Sequence, residues 1–86
     1  MSELTLEDQI KELLVERLFL DLEPSQIQNE TPLSEYGVDS FLMLELVVAM
    51  EEIFAVHFEP ADITAAALKT VSSLATLIRS KQHQQS

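Results

Sequence analysis

At 86 residues the chain has room for one small domain with a thin core, and a hydrophobic content of 47% is enough to pack one, which argues against a disordered chain. Fifteen Asp and Glu against five Lys and Arg give a formal charge of −10; such a field repels nucleic acid and anionic membranes and attracts proteins with basic patches, although solubility alone also accounts for acidity. With no cysteine there is no disulfide scaffold, no thiolate metal site and no cysteine nucleophile.

The first residues, Met1 to Gln9, are acidic and polar and do not read as a signal peptide. The longest apolar stretch, Phe41 to Met50, is broken by Glu45 and is too short to span a bilayer. A soluble, cytoplasmic, monomeric protein is the expectation. The Met1 start and short flanks point to a free-standing protein with one domain over 1–86.

The first predicted helix covers about 5–20. Ile10, Leu13, Leu14 and Leu18 recur at three- and four-residue steps, with Leu6 one turn earlier. Thr5 is its expected N-cap with Asp8 three residues on, and the helix should stop before Pro24. From Asp21 to Asp39 no period is visible, and Pro24, Asn29, Pro32, Ser34 and Gly37 punctuate a long loop. Ile27, Leu33, Tyr36 and Val38 are spaced to pin that loop onto the core.

A second helix is predicted over 40–55, with Asp39 as N-cap. At about 100° per residue, Met43, Leu46, Val47, Met50, Ile53 and Phe54 fall on one uncharged arc, the expected core face. Ser40, Phe41, Leu44, Glu45, Val48, Glu51 and Glu52 fall opposite. Apolar residues mixed with three carboxylates form a face unlike the ordinary solvated side of an amphipathic helix. Such a face often meets another protein. Pro60 opens a predicted short helix over 61–67. Thr70 caps a last one over 71–80, with Val71, Leu74, Ala75 and Ile78 on a stripe. Lys81 to Ser86 read as a frayed polar tail. The fold class is all-α: a small four-helix bundle, three longer helices and one short, with a long loop between the first two.

A serine at a helix start is ordinarily a cap. Here it stands in Gly37-Val38-Asp39-Ser40-Phe41, followed by an apolar helix with Glu45 and Glu51-Glu52. Motif, length, acidity and helix order together resemble the acyl carrier protein family across nearly the whole chain. The resemblance implies that Ser40 bears a 4'-phosphopantetheine arm, delivered from coenzyme A by a phosphopantetheinyl transferase, with Asp39 as part of the attachment motif. It implies a protein that holds acyl groups as thioesters and catalyses nothing itself. It also implies that Glu45, Glu51 and Glu52 meet basic patches on a ketosynthase, acyltransferase or ligase; Phe41, Leu44 and Val48, on the same side of the helix, are the expected apolar part of that partner face. The residues agree on one point: His57 and His83 are remote in sequence, no lysine lies near Ser40, and a self-activating nucleophile needs a positioned base.

Two positions depart from the family pattern. Phe41 stands where Leu is commonest, and Leu42 stands where fatty-acid carriers have an acid. Loss of that carboxylate weakens the helix-dipole interaction by about 0.3–1 kcal/mol and points to polyketide, hybrid or specialised lipid synthesis. A peptidyl or aminoacyl carrier with the same arm is the first alternative, and a helical adaptor in which Ser40 is only a cap is the second. Catalysis is not expected: no His/Glu pair has metal-ligand spacing, no Gly-rich phosphate loop is present and no EF-hand run exists. Glu59 and Asp62 read as solvated.

Overall fold

The computed structural model describes residues 5–84. Three α-helices carry the fold: α1 (Leu6–Leu18), α2 (Ser40–Phe54) and α3 (Val71–Gln84). Helix α1 packs against both α2 and α3. Single 3₁₀ turns at Pro24–Gln26, Leu33–Tyr36 and Pro60–Asp62 shape the connections.

Helix α1 begins in a capping box, the Thr5 hydroxyl accepting from Asp8 N–H at 3.1 Å and the Asp8 carboxylate from Thr5 N–H at 3.4 Å. Its expected stripe is the buried one: Ile10, Leu13, Leu14 and Leu18. It ends at Phe19, whose φ of 55° breaks the helix well before Pro24 imposes any limit. Helix α3 is capped reciprocally by Thr70 and Ser73, with Ser73 N–H to Thr70 Oγ1 at 3.1 Å and Thr70 N–H to Ser73 Oγ at 2.9 Å. Val71, Leu74, Ala75 and Ile78 are completely buried beneath it.

The loop between α1 and α2 is pinned as its apolar spacing predicted. Ile27, Leu33 and Val38 are buried in the core, and the Tyr36 hydroxyl accepts from Gln28 N–H at 2.9 Å. Leu33 N–H donates to Lys69 O at 2.8 Å and Ser72 N–H to Asn29 O at 2.9 Å. These bonds tie the loop to the segment that leads into α3.

Four expectations are corrected. Residues 61–67 do not form a fourth helix: Pro60–Asp62 make a 3₁₀ turn, and Thr64 closes one further turn by accepting from Ala67 N–H at 3.1 Å. Thr64, Ala65 and Ala66 are exposed, so burial in the middle of the segment does little to stabilise a longer helix. The predicted tail is helical as far as Gln84, because Lys81 is buried and its Nζ meets Asp62 Oδ2 at 2.6 Å; Gln85 and Ser86 lie outside the described residues. Asp62 is therefore not a solvated carboxylate, and it also accepts from Glu59 N–H at 2.7 Å. Ile53, expected in the core, is 52% exposed. It lies in the last turn of α2. There Ala55, with φ of 55°, turns the chain back so that Val56 and Phe58 fill the core instead.

Candidate functional site

The segment before α2 presents Ser40 by a short series of local devices. The 3₁₀ turn Leu33–Tyr36 closes on Gly37, whose φ of 87° lies in the left-handed region that side chains disfavour. Gly37 N–H donates to Ser34 O at 3.1 Å and Val38 N–H to Leu33 O at 3.3 Å. Val38 is buried and anchors the turn. Asp39 follows in extended conformation, and its Oδ1 accepts from Leu42 N–H at 2.9 Å. The cap of α2 is thus Asp39, as expected, and Ser40 is left as the first helical residue.

Ser40 is exposed, and no hydrogen bond to its hydroxyl is found among the described residues. It stands at the edge of a groove of about 480 Å³, with walls built from Leu33, Val38, Met43, Leu44, Ile63 and Leu68. Lys69, Asp39 and Ser34 supply polar groups to the same groove. By sequence no lysine lies near Ser40, but the fold brings Lys69 into the groove that Ser40 borders, its backbone held by the Leu33–Lys69 bond. Nothing local in the sequence signals this, because the contact joins two segments far apart in the chain.

His57 follows the far end of α2, roughly 22 Å along the helix from Ser40 at 1.5 Å per residue. Its Nδ1 lies 3.6 Å from Glu51 Oε2, and its side chain faces solvent. It is in no position to take a proton from Ser40.

On the outer side of α2, Phe41 is 67% exposed, with Leu44, Val48, Glu45 and Glu52 also exposed. Together with Arg17 of α1 they border a second groove of about 450 Å³. Arg17 Nη1 and Glu52 Oε1 are 4.0 Å apart, a solvent-screened pair of little stabilising value. Glu51 differs from its neighbours. It is half-buried, and its Oε2 accepts from Phe58 N–H at 2.8 Å, so this carboxylate is engaged in holding the turn after α2. No helix among the described residues is long and apolar enough to cross a membrane.

An exposed, unbonded hydroxyl on a rigid helix start, beside an apolar groove, is suited to bearing a covalently attached group. Residues 8–78 match the family model described as a phosphopantetheine attachment site. The chain is 32% identical over 79 residues to an acyl carrier protein of Chlamydia caviae, covering 92% of this chain and 99% of that protein. It is 36% identical over 73 residues to an acyl carrier protein of Bdellovibrio bacteriovorus, covering 84% and 88% respectively. The chain belongs to the acyl carrier protein family, the cofactor of which is a covalently attached 4'-phosphopantetheine.

The fold is also that of a chain in a crystal structure of an engineered Bradyrhizobium japonicum glycine:[carrier protein] ligase complexed with a carrier protein from Agrobacterium tumefaciens and ATP. There the TM-score is 0.78 at 20% identity, over 87% of this chain and 97% of that one.

Proposed function

We propose that Ser40 is the attachment residue, and that the chain, one carrier domain, holds acyl intermediates on the arm and presents them to partner enzymes. The observation that supports this most is the division of labour between neighbours: Asp39 caps α2, which leaves the Ser40 hydroxyl exposed and unbonded. The residues fit the group. Ser40 offers an oxygen for the phosphodiester at the N-terminal end of α2, where the helix dipole favours an anion and the neighbouring Asp39 carboxylate is engaged with Leu42 N–H. When bound, the arm supplies a thiol that carries the cargo as a thioester.

The chain's own residues position, and do not activate. Ser40 has no imidazole within reach, so the base that removes its proton belongs to the transferase. Phe41, Leu44 and Val48 offer apolar contact to that enzyme and to the ketosynthase, acyltransferase or ligase partners that follow. Glu45 and Glu52 add an acidic rim that speeds encounter with basic patches. Glu51 contributes field but little reach, since its carboxylate is engaged with Phe58 N–H. Leu42 in place of an acid supports a specialised pathway, polyketide, hybrid or lipid, over housekeeping fatty-acid synthesis. The apolar walls beside Ser40 favour an acyl cargo over an aminoacyl one. The protein acts as a cytoplasmic monomer.

Fragmentation mass spectrometry of protein loaded from coenzyme A by a broad-specificity transferase tests the assignment. The added mass is expected on the peptide that contains Ser40. Mass on any other residue overturns the reading.

A further inference from the structure

Of the five Lys and Arg of the chain, Lys11 and Lys69 make no ion pair among the described residues, and of these two only Lys69 lines the Ser40 groove. Arg17, Arg79 and Lys81 each face a carboxylate, of Glu52, Glu7 and Asp62 respectively. Lys69 makes no ion pair among the described residues, in a chain of net charge −10. It lies instead in the wall of the groove that Ser40 borders, and it is the one cation among that groove's lining residues. Its backbone is fixed there: Lys69 O accepts from Leu33 N–H, and the next residue, Thr70, caps α3. Lys69 is an exposed residue, and a lysine carries its ammonium on a long, flexible stem.

We propose that Lys69 binds the phosphodiester that joins the arm to Ser40, and so directs the arm along the groove. This rests on the Ser40 reading. A phosphodiester at Ser40 is a permanent anion set beside the Asp39 carboxylate in an already acidic protein. Two features offset it. One is the N-terminal end of α2, whose Leu42 N–H is already taken by Asp39. The other is the full charge of Lys69. A carboxylate on the cargo is the other anion the groove could receive. The phosphodiester is preferred because it is bonded to Ser40 itself and stays at the groove whatever the cargo, whereas cargo sits at the far end of the arm.

The test compares apo protein with protein whose arm ends in a free thiol, for wild type, Lys69→Glu and Lys11→Glu. Lys11 does not line the groove, and its reversal makes the same change in net charge. Loading is confirmed by intact mass before each comparison. Loading is expected to lower the melting temperature of Lys69→Glu by roughly 2–5 °C more than that of wild type or Lys11→Glu at low salt. That excess should disappear at high salt. The ³¹P resonance of the loaded protein should also move between wild type and Lys69→Gln, and not between wild type and Lys11→Gln. Equal loading effects in all three proteins overturn the proposal. So does a Lys69-specific effect that appears only with carboxylate-ended cargo and not with the free thiol. Failure of Ser40 to gain the arm removes the parent reading as well, and intact mass reveals that separately.

Discussion

Truncating Met50 and Ile53 of α2 separates the face that holds the fold from the face that does not. An ideal helical wheel places both on the core arc, yet Met50 is 0% exposed and Ile53 is 52% exposed. Met50→Ala removes fully buried atoms and leaves a cavity, at a cost of roughly 2–5 kcal/mol. A domain of this size has only about 4–13 kcal/mol of stability in total. At about 4–8 °C per kcal/mol, the melting temperature should fall by roughly 8 °C or more. Ile53→Ala gives up about half of a side-chain burial worth roughly 2 kcal/mol, and alanine's better helix propensity returns a few tenths. Its expected cost is therefore below about 1 kcal/mol. Half-buried Val47 should fall between them. Calorimetric melts of the three variants, with circular dichroism as the folding control, decide it. Equal losses for Met50→Ala and Ile53→Ala would refute the placement of α2.

Three further outcomes are expected. The Lys81 ammonium beside Asp62, together with Glu59 N–H, holds the Asp62 carboxyl below its usual range, and Arg79 does the same for Glu7. A lowered folded-state value means the unfolded chain binds more protons, so this stability is present above about pH 4 and lost as pH falls further. Denaturant titrations from pH 7 to pH 3 should show that loss in wild type and a shallower one in Asp62→Asn. Glu45→Lys and Glu52→Lys should slow transferase modification with a defect that shrinks as salt rises, whereas the Phe41→Ala defect should persist; Glu51→Lys should also lower the melting temperature, because Phe58 N–H loses its acceptor. Gly37→Ala meets no atom within 4 Å, so its cost is conformational alone, about 1–2 kcal/mol for a left-handed residue, and should appear in a thermal melt.

What the sequence made legible is what local rules govern. The α1 and α3 stripes, the Thr5 and Thr70 caps and the Asp39 cap all follow from residues within one or two turns of each other. Ser40 was singled out by the resemblance of Gly37-Val38-Asp39-Ser40-Phe41 to the acyl carrier protein motif, since position alone reads as a cap; the structure adds that Asp39 takes the capping bond and Ser40 is exposed. The misreadings are long-range. Lys81 looks like solvated tail until Asp62 is placed beside it, when its aliphatic stem is buried along the core and its charge is paired. The stretch 61–67 has helix-forming alanines, but Asp62 is committed to Lys81 and to Glu59 N–H, and the exposed Thr64, Ala65 and Ala66 add little burial to reward extension. Ile53 follows the period of α2 but lies in its final turn, where Val56 and Phe58 take the core positions. Lys69 meets the Ser40 groove only because the loop's backbone bonds to the segment before α3.

The central claim is that Ser40 carries the arm, and intact mass after incubation with coenzyme A and a phosphopantetheinyl transferase tests it most directly. Wild type should gain one phosphopantetheine, and Ser40→Ala, whose exposed side chain makes no hydrogen bond among the described residues and whose helix is capped by Asp39, should fold normally and gain none. A folded Ser40→Ala protein that still gains the mass, or a wild type that gains none, would contradict the account.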